Sequence, residues 1–135
     1  MSVIVDTSVW SLALRRKTPV SNSPVVRCLQ NLITDDQVIL FGAIRQEILS
    51  GIRTVEQFNR LRGYLRAFPD LDLCSDDYEL AAEFFNTCRS NGIQGSNTDF
   101  LICAVAHRRS HSILTTDQDF GSFQPYIPID LYSVT

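Results

Sequence analysis

The chain has 135 residues, of which 44% are hydrophobic and 20% charged, with a formal net charge of −3. That length suits one domain spanning 1–135 with a sizeable core, and the acid balance excludes a global basic field that would draw the protein onto nucleic acid. No apolar run approaches the ~20 residues that span a bilayer, "MSVIVDTSVW" lacks a basic leader, and Cys28, Cys74, Cys88 and Cys103 form no CxxC motif. A cytoplasmic protein with reduced, mostly buried thiols and no membrane partner is therefore expected.

"VIV" at 3–5 predicts a short buried strand, ended by Asp6, and "TSVWSLALRR" a helix. Pro19 to Pro24 predicts a loop, followed by a helical segment "VVRCLQNLI". "VILF" at 38–41 predicts a strand that Gly42 breaks, and "AIRQEILSG" a helix closed by Gly51. "TVEQFNRLRGYLRAF" spaces Phe58, Leu61, Leu65 and Phe68 as an amphipathic helix does. "LDLC" predicts a strand, and "DDYELAAEFFNTCRSNG" a helix with acids at its start and Gly92 at its end. In "TDFLICAVAHRR" the run Phe100 to Ala106 is apolar on every side, as in a buried helix. "SILTT" at 112–116 and "IDLYSV" read as further strands, the last at an edge. The alternation predicts an α/β fold with a small, mostly parallel sheet covered on both faces. Ligands in such sheets sit beyond the carboxyl ends of the strands.

Four acids from distant parts of the chain fall at such places: Asp6 after the first strand, Glu47 in the helix after "VILFG", Asp99 at the head of the buried helix, and Asp117 after "SILTT". Each has a plainer role open to it. Asp6 can cap a helix, Asp99 can complement a helix dipole, Asp117 and Asp119 can serve turns, and Glu47 can sit at the rim of the core. Ser, Thr or Asn would cap equally well, yet every position carries an acid. Carboxylates sharing a pocket raise one another's pKa. A divalent cation relieves this, and an all-oxygen set suits Mg²⁺ or Mn²⁺. Zinc would need more than His107 and His111, for which no third ligand is evident. Of the twelve basic residues only Lys17 is lysine, and the arginines group as Arg15–Arg16, Arg60–Arg62–Arg66 and Arg108–Arg109. They are either solvated helix faces or phosphate contacts.

"VIVDTSVW", "AIRQEILSG", "TDFLICAVA" and "ILTTDQDF", in that order, resemble the PIN-domain ribonucleases, specifically the VapC-type toxins of toxin–antitoxin pairs. The resemblance covers nearly the whole chain. It implies a PIN-like three-layer α/β/α fold and metal-binding acids at Asp6, Glu47, Asp99 and Asp117, with Asp119, Ser8 and Thr115 as further site positions. It implies Mg²⁺- or Mn²⁺-dependent endonucleolytic hydrolysis of RNA, leaving a 5′-phosphate and a 3′-hydroxyl. On this reading Asp99 is a metal ligand rather than a helix-start device. The resemblance also implies a homodimer and a VapB-like antitoxin whose C-terminal segment lies in an apolar groove, here placed on the helix of Phe58, Leu61, Leu65 and Phe68. Receiver-type and haloacid-type phosphatase folds lack their late Lys here. The remaining alternative is a catalytically silent PIN-like module that binds RNA or protein.

Overall fold

The structure is a computed structural model and describes residues 2–15 and 23–134. Strand β1 (Val3–Val5) is three β-branched residues, each fully buried. Burial on both faces is what a continuous apolar run requires of a central strand. β1 lies between β2 (Val38–Ile39) and β3 (Ser112–Leu114), parallel to both, in the order β2-β1-β3. Ile4 aligns with Ile39 on one side and Ile113 on the other.

Parallel neighbours need long crossovers, and helices supply them. Helices α1 (Thr7–Leu14) and α2 (Pro24–Thr34) connect β1 to β2. Pro24 opens α2, where its missing N–H and fixed φ do no harm. Between β2 and β3 run α3 (Gly42–Leu49), α4 (Val55–Leu65), α5 (Ser75–Ser90) and α6 (Asn97–Arg109). The short α7 (Asp119–Phe123) follows β3. Helix α1 packs on α2 and α3, α3 on α4, and α6 on both α5 and β3. The result is the three-layer α/β/α arrangement anticipated from the sequence. Every residue from Phe100 to Ala106 is buried, so α6 is enclosed on all sides.

Several expectations need correction. Segment 71–74 is not a strand: one bridge joins Asp70 to Leu40, and Cys74 already caps α5. Segment 129–134 makes a single bridge, Leu131 with Ile113, where Ile113 N–H donates to Asp130 O and Tyr132 N–H to Ile113 O. Neither segment stays alongside its neighbour long enough to build a ladder. Gly42 does not follow a four-residue strand but begins α3, with buried Phe41 as its cap residue. Most of the Pro19–Pro24 loop, with Arg16 and Lys17, lies outside the described residues.

The apolar face of α4 also serves a different end. Leu61 is 2% exposed and Leu65 fully buried, and Phe68 meets Trp10 edge-on at 5.4 Å. Leu65 thus belongs to the chain's own core with Phe68 packed against it, Leu61 is buried as well and Phe58 is half-buried, so these four do not line an open groove. Two thiols, Cys88 and Cys103, are buried and Cys28 is half-buried, but Cys74 is exposed; all four are free. Among the described residues no helix is long and apolar enough to cross a membrane.

Candidate carboxylate site at the sheet edge

Where β1 ends, Asp6 N–H donates to Leu114 O at 2.9 Å, the last bond of the β1–β3 ladder. Asp6 then caps α1. Its side chain is drawn under the surface, leaving the residue 3% exposed. Oδ2 accepts from Ser8 Oγ at 2.7 Å, from Thr115 Oγ1 at 2.8 Å and, more weakly, from Ser8 N–H at 3.4 Å. Burial raises the Asp6 pKa, while the Ser8 and Thr115 hydrogen bonds pull it back. Beyond β3, Thr116 N–H donates to Ser8 Oγ and Asp117 N–H to Thr115 Oγ1. Asp117 Oδ1 accepts from Asp119 N–H at 2.9 Å, which turns the chain into α7.

Asp99 reaches the same edge from α6. It is the third residue of the helix, and it forms a reciprocal cap with Ser96. Ser96 Oγ accepts from Asp99 N–H at 3.0 Å, and Asp99 Oδ2 accepts from Ser96 N–H at 3.1 Å. Asp99 is therefore a helix-start device, contrary to the expectation that set this role aside. It is also more than that. Burial, above all, together with the charges of Asp6 and Asp117, pushes its pKa up to about 6 despite the Ser96 bonds. One turn deeper in α6, buried Cys103 is pushed upward by burial and by the charges of Asp99 and Asp6. The charges of Asp6 and Asp117, which follow β1 and β3, thus both reach Asp99.

Glu47 stands apart. It is half-exposed on α3 between fully buried Ile44 and Ile48. Its carboxylate makes no hydrogen bond or ion pair among the described residues. Asp119 is exposed and contributes its backbone N–H. Among the described residues no three His, Cys, Asp or Glu side chains form a ready-made metal cage.

Three of the described arginines are engaged away from these acids. Arg45 donates to Asp70 and to the carbonyls of Leu65 and Phe68, locking the end of α4 to α3. Arg108 and Arg109 lie at the far end of α6 from Asp99, about 15 Å away at 1.5 Å per residue. Both bind Asp77, which is fully buried. Burial alone would raise the Asp77 pKa, but Cys74 N–H and the two guanidinium groups hold it at about 2. Reasoning from sequence missed this buried acid, because its partners lie 31 and 32 residues away. It also missed Ser96, although the spacing Ser96-x-x-Asp99 carries the cap signal, and Gly95. A Cβ on Gly95 would sit 2.6 Å from Phe123 of α7 and 3.0 Å from Phe100 of α6. Only glycine lets the loop carrying Ser96 press against both helices.

The same architecture occurs in known proteins. FitAcB from Neisseria gonorrhoeae superposes with a TM-score of 0.75 at 22% identity, covering 98% of this chain and 97% of that one. VapBC2 from Rickettsia felis, solved with a DNA fragment from its promoter, gives 0.74 at 17%, covering 98% and 100%. VapBC-5 from Mycobacterium tuberculosis, described as a member of the VapBC family of toxin–antitoxin systems, gives 0.66 at 18%, covering 98% and 100%. At these identities the likeness establishes the fold. No curated protein matches the chain. The family model of the PIN domain matches residues 3–124, which takes in Asp6, Glu47, Asp99 and Asp117 alike, and the chain belongs to the PIN domain family.

Proposed function

We propose that this chain is the toxin of a toxin–antitoxin pair and a Mg²⁺- or Mn²⁺-dependent endoribonuclease. The observation that carries the reading is Asp99, half-buried at the head of α6, where burial above all and then the charges of Asp6 and Asp117 push its pKa up to about 6. Such a cluster has a standing electrostatic demand for a cation. Its donors are oxygens, and Mg²⁺ takes one or two carboxylates directly while keeping several waters. Asp6 and Asp99 would hold the cation. Asp117 and Glu47 would complete a second, weaker site or orient the attacking water, with Asp119 beside them. When bound, the cation lowers the pKa of water and offsets charge on the scissile phosphate. The chain's own part is to carry Asp6 at the end of a buried strand and Asp99 at the head of a buried helix.

The toxin assignment draws on family membership and on the fold neighbours, one of which is described as a toxin–antitoxin family member. An antitoxin protein and a homodimer follow from the same reading. The test is cleavage of total RNA with Mg²⁺ or Mn²⁺ against EDTA, with the new ends sequenced. Cation-dependent cuts bearing 5′-phosphates, absent in Asp6→Asn, support the proposal. RNA binding without cleavage under any cation would identify a silent RNA-binding module instead.

A further inference from the structure

We infer that Ser8 and Thr115 are positioning residues, a paired clamp that uses buried Asp6 to fix the backbone of Asp117. The inference rests on the proposed carboxylate site for its functional meaning. The clamp itself is visible in hydrogen bonds alone.

The sheet ladder stops at Leu114 O, which accepts from Asp6 N–H. Beyond it, the N–H groups of Thr116 and Asp117 find their acceptors in two hydroxyls. Thr116 N–H donates to Ser8 Oγ at 3.1 Å, and Asp117 N–H donates to Thr115 Oγ1 at 2.9 Å. Each hydroxyl in turn donates to the same atom, Asp6 Oδ2, at 2.7 and 2.8 Å. A hydroxyl has one proton to give. Both protons are committed to Asp6, so the 3.4 Å approach between Ser8 Oγ and Thr115 Oγ1 carries no hydrogen bond of its own. Neither hydroxyl has a proton left for a phosphate oxygen or a leaving group. Both polarities run one way, from backbone N–H through hydroxyl to a single carboxylate oxygen, and bonds to an ionised acceptor are the stronger kind.

The consequence is geometric. Asp6 belongs to the head of α1, and Asp117 to the segment leading into α7. Two relays, one from each side, tie these separate pieces together within one residue of Asp117. Asp117 Oδ1 is then turned by Asp119 N–H. Beyond the last sheet bond, Ser8 and Thr115 are thus what links Asp6 to the backbone of Asp117.

The test compares Ser8→Ala, Thr115→Val, and the conservative variants Ser8→Thr and Thr115→Ser. Amide hydrogen exchange by NMR reads the clamp without any cation. Ser8→Ala should speed exchange at Thr116, and Thr115→Val at Asp117, each about tenfold, while the amides of β1 stay protected. Calorimetric titration with Mn²⁺ reads the consequence. Both variants should weaken binding by about 10- to 100-fold, the range for loss of a group that orients a ligand. Ser8→Thr and Thr115→Ser should restore both readouts. Each deletion is read at its own amide, so one folded variant suffices. Unchanged exchange at Thr116 and Asp117 would overturn the clamp. Accelerated exchange with unchanged Mn²⁺ affinity, or failure of the hydroxyl-bearing variants to restore it, would overturn the positioning role. If the wild type binds Mn²⁺ but cuts no RNA, the nuclease reading fails while the clamp stands on exchange and affinity.

Discussion

Replacing Asp99 by Asn separates its two roles. The Asn side chain keeps an oxygen that can accept from Ser96 N–H, so most of the helix cap survives. What disappears is a charge held under the surface beside Asp6 and Asp117. The wild-type carboxyl titrates at about 6 instead of 3.8. A displacement of that size is worth about 3 kcal/mol as an upper bound. Solvent at a partly exposed carboxylate and the weaker, uncharged cap bond bring it down to roughly 1–2 kcal/mol. In EDTA at pH 7.5, Asp99→Asn should therefore melt higher than wild type by roughly 4–8 °C, taking about 4 °C per kcal/mol for this length. Mn²⁺ should reverse the order. A ligand that binds only the folded state adds about 2.7 kcal/mol at 100-fold excess over Kd, and the variant should forgo most of it. The assay is a thermal melt of both proteins with EDTA and with a Mn²⁺ series. A variant that melts lower than wild type in EDTA would refute the reasoning, because the cap would then outweigh the crowded charge.

The same carboxyl gives the metal-free wild type a pH dependence. Its folded pKa is raised, so its contribution to stability is full below 3.8 and is lost as pH rises through about 6. Metal-free protein should melt higher at pH 5 than at pH 7.5, and a flat profile between those values would count against the crowded site. Asp77 has the opposite sign: its pKa is lowered to about 2, so its stability is present above 3.8 and lost as pH falls toward 2. Asp77→Ala should cost about 2–3 kcal/mol by denaturant melt, since it strands two guanidinium groups, yet leave RNA cleavage intact at temperatures where the variant is folded. Gly95→Ala forces a carbon into Phe123 and Phe100; it should cost about 1–3 kcal/mol and lower Mn²⁺ affinity by shifting the Ser96–Asp99 cap. Leu65→Asp should abolish folding, as read by circular dichroism, because the side chain is fully buried.

The legible parts of the chain are those whose signal is local. "VIV" followed by Asp6 reads as a buried strand that ends in an acid, since branched residues with no polar face must be covered on both sides. Helix α5 announces its end at Gly92, which sits at φ +76 while Ile93 N–H reaches back to Cys88 O. Helix α6 is written in its own seven apolar residues. The placing of Asp6 and Asp117 after strands and of Asp99 at a helix start is legible from where these acids fall between apolar runs. The hidden parts depend on partners far along the chain. Helix α7 has five residues, too few for a period to show, and exists because Phe120 and Phe123 are fully buried. Leu65 looks like part of a spare apolar stripe until it is seen in the core, with Phe68 packed against that core and edge-on to Trp10. Asp77 looks like one more acid at a helix start until Arg108 and Arg109 return from the far end of α6. Glu47 is legible as an acid at the edge of an apolar face, but nothing local says what it faces.

The most direct measurement of the carboxylate site is an anomalous difference map from crystals of the wild-type protein soaked in Mn²⁺. A peak within about 2.5 Å of carboxylate oxygens of Asp6 and Asp99, with Asp117 alongside, is the predicted result. The same soak of Asp99→Asn crystals should lose that peak. A map with no peak at this edge at saturating Mn²⁺, or with its peak at other carboxylates, would contradict the account at its centre.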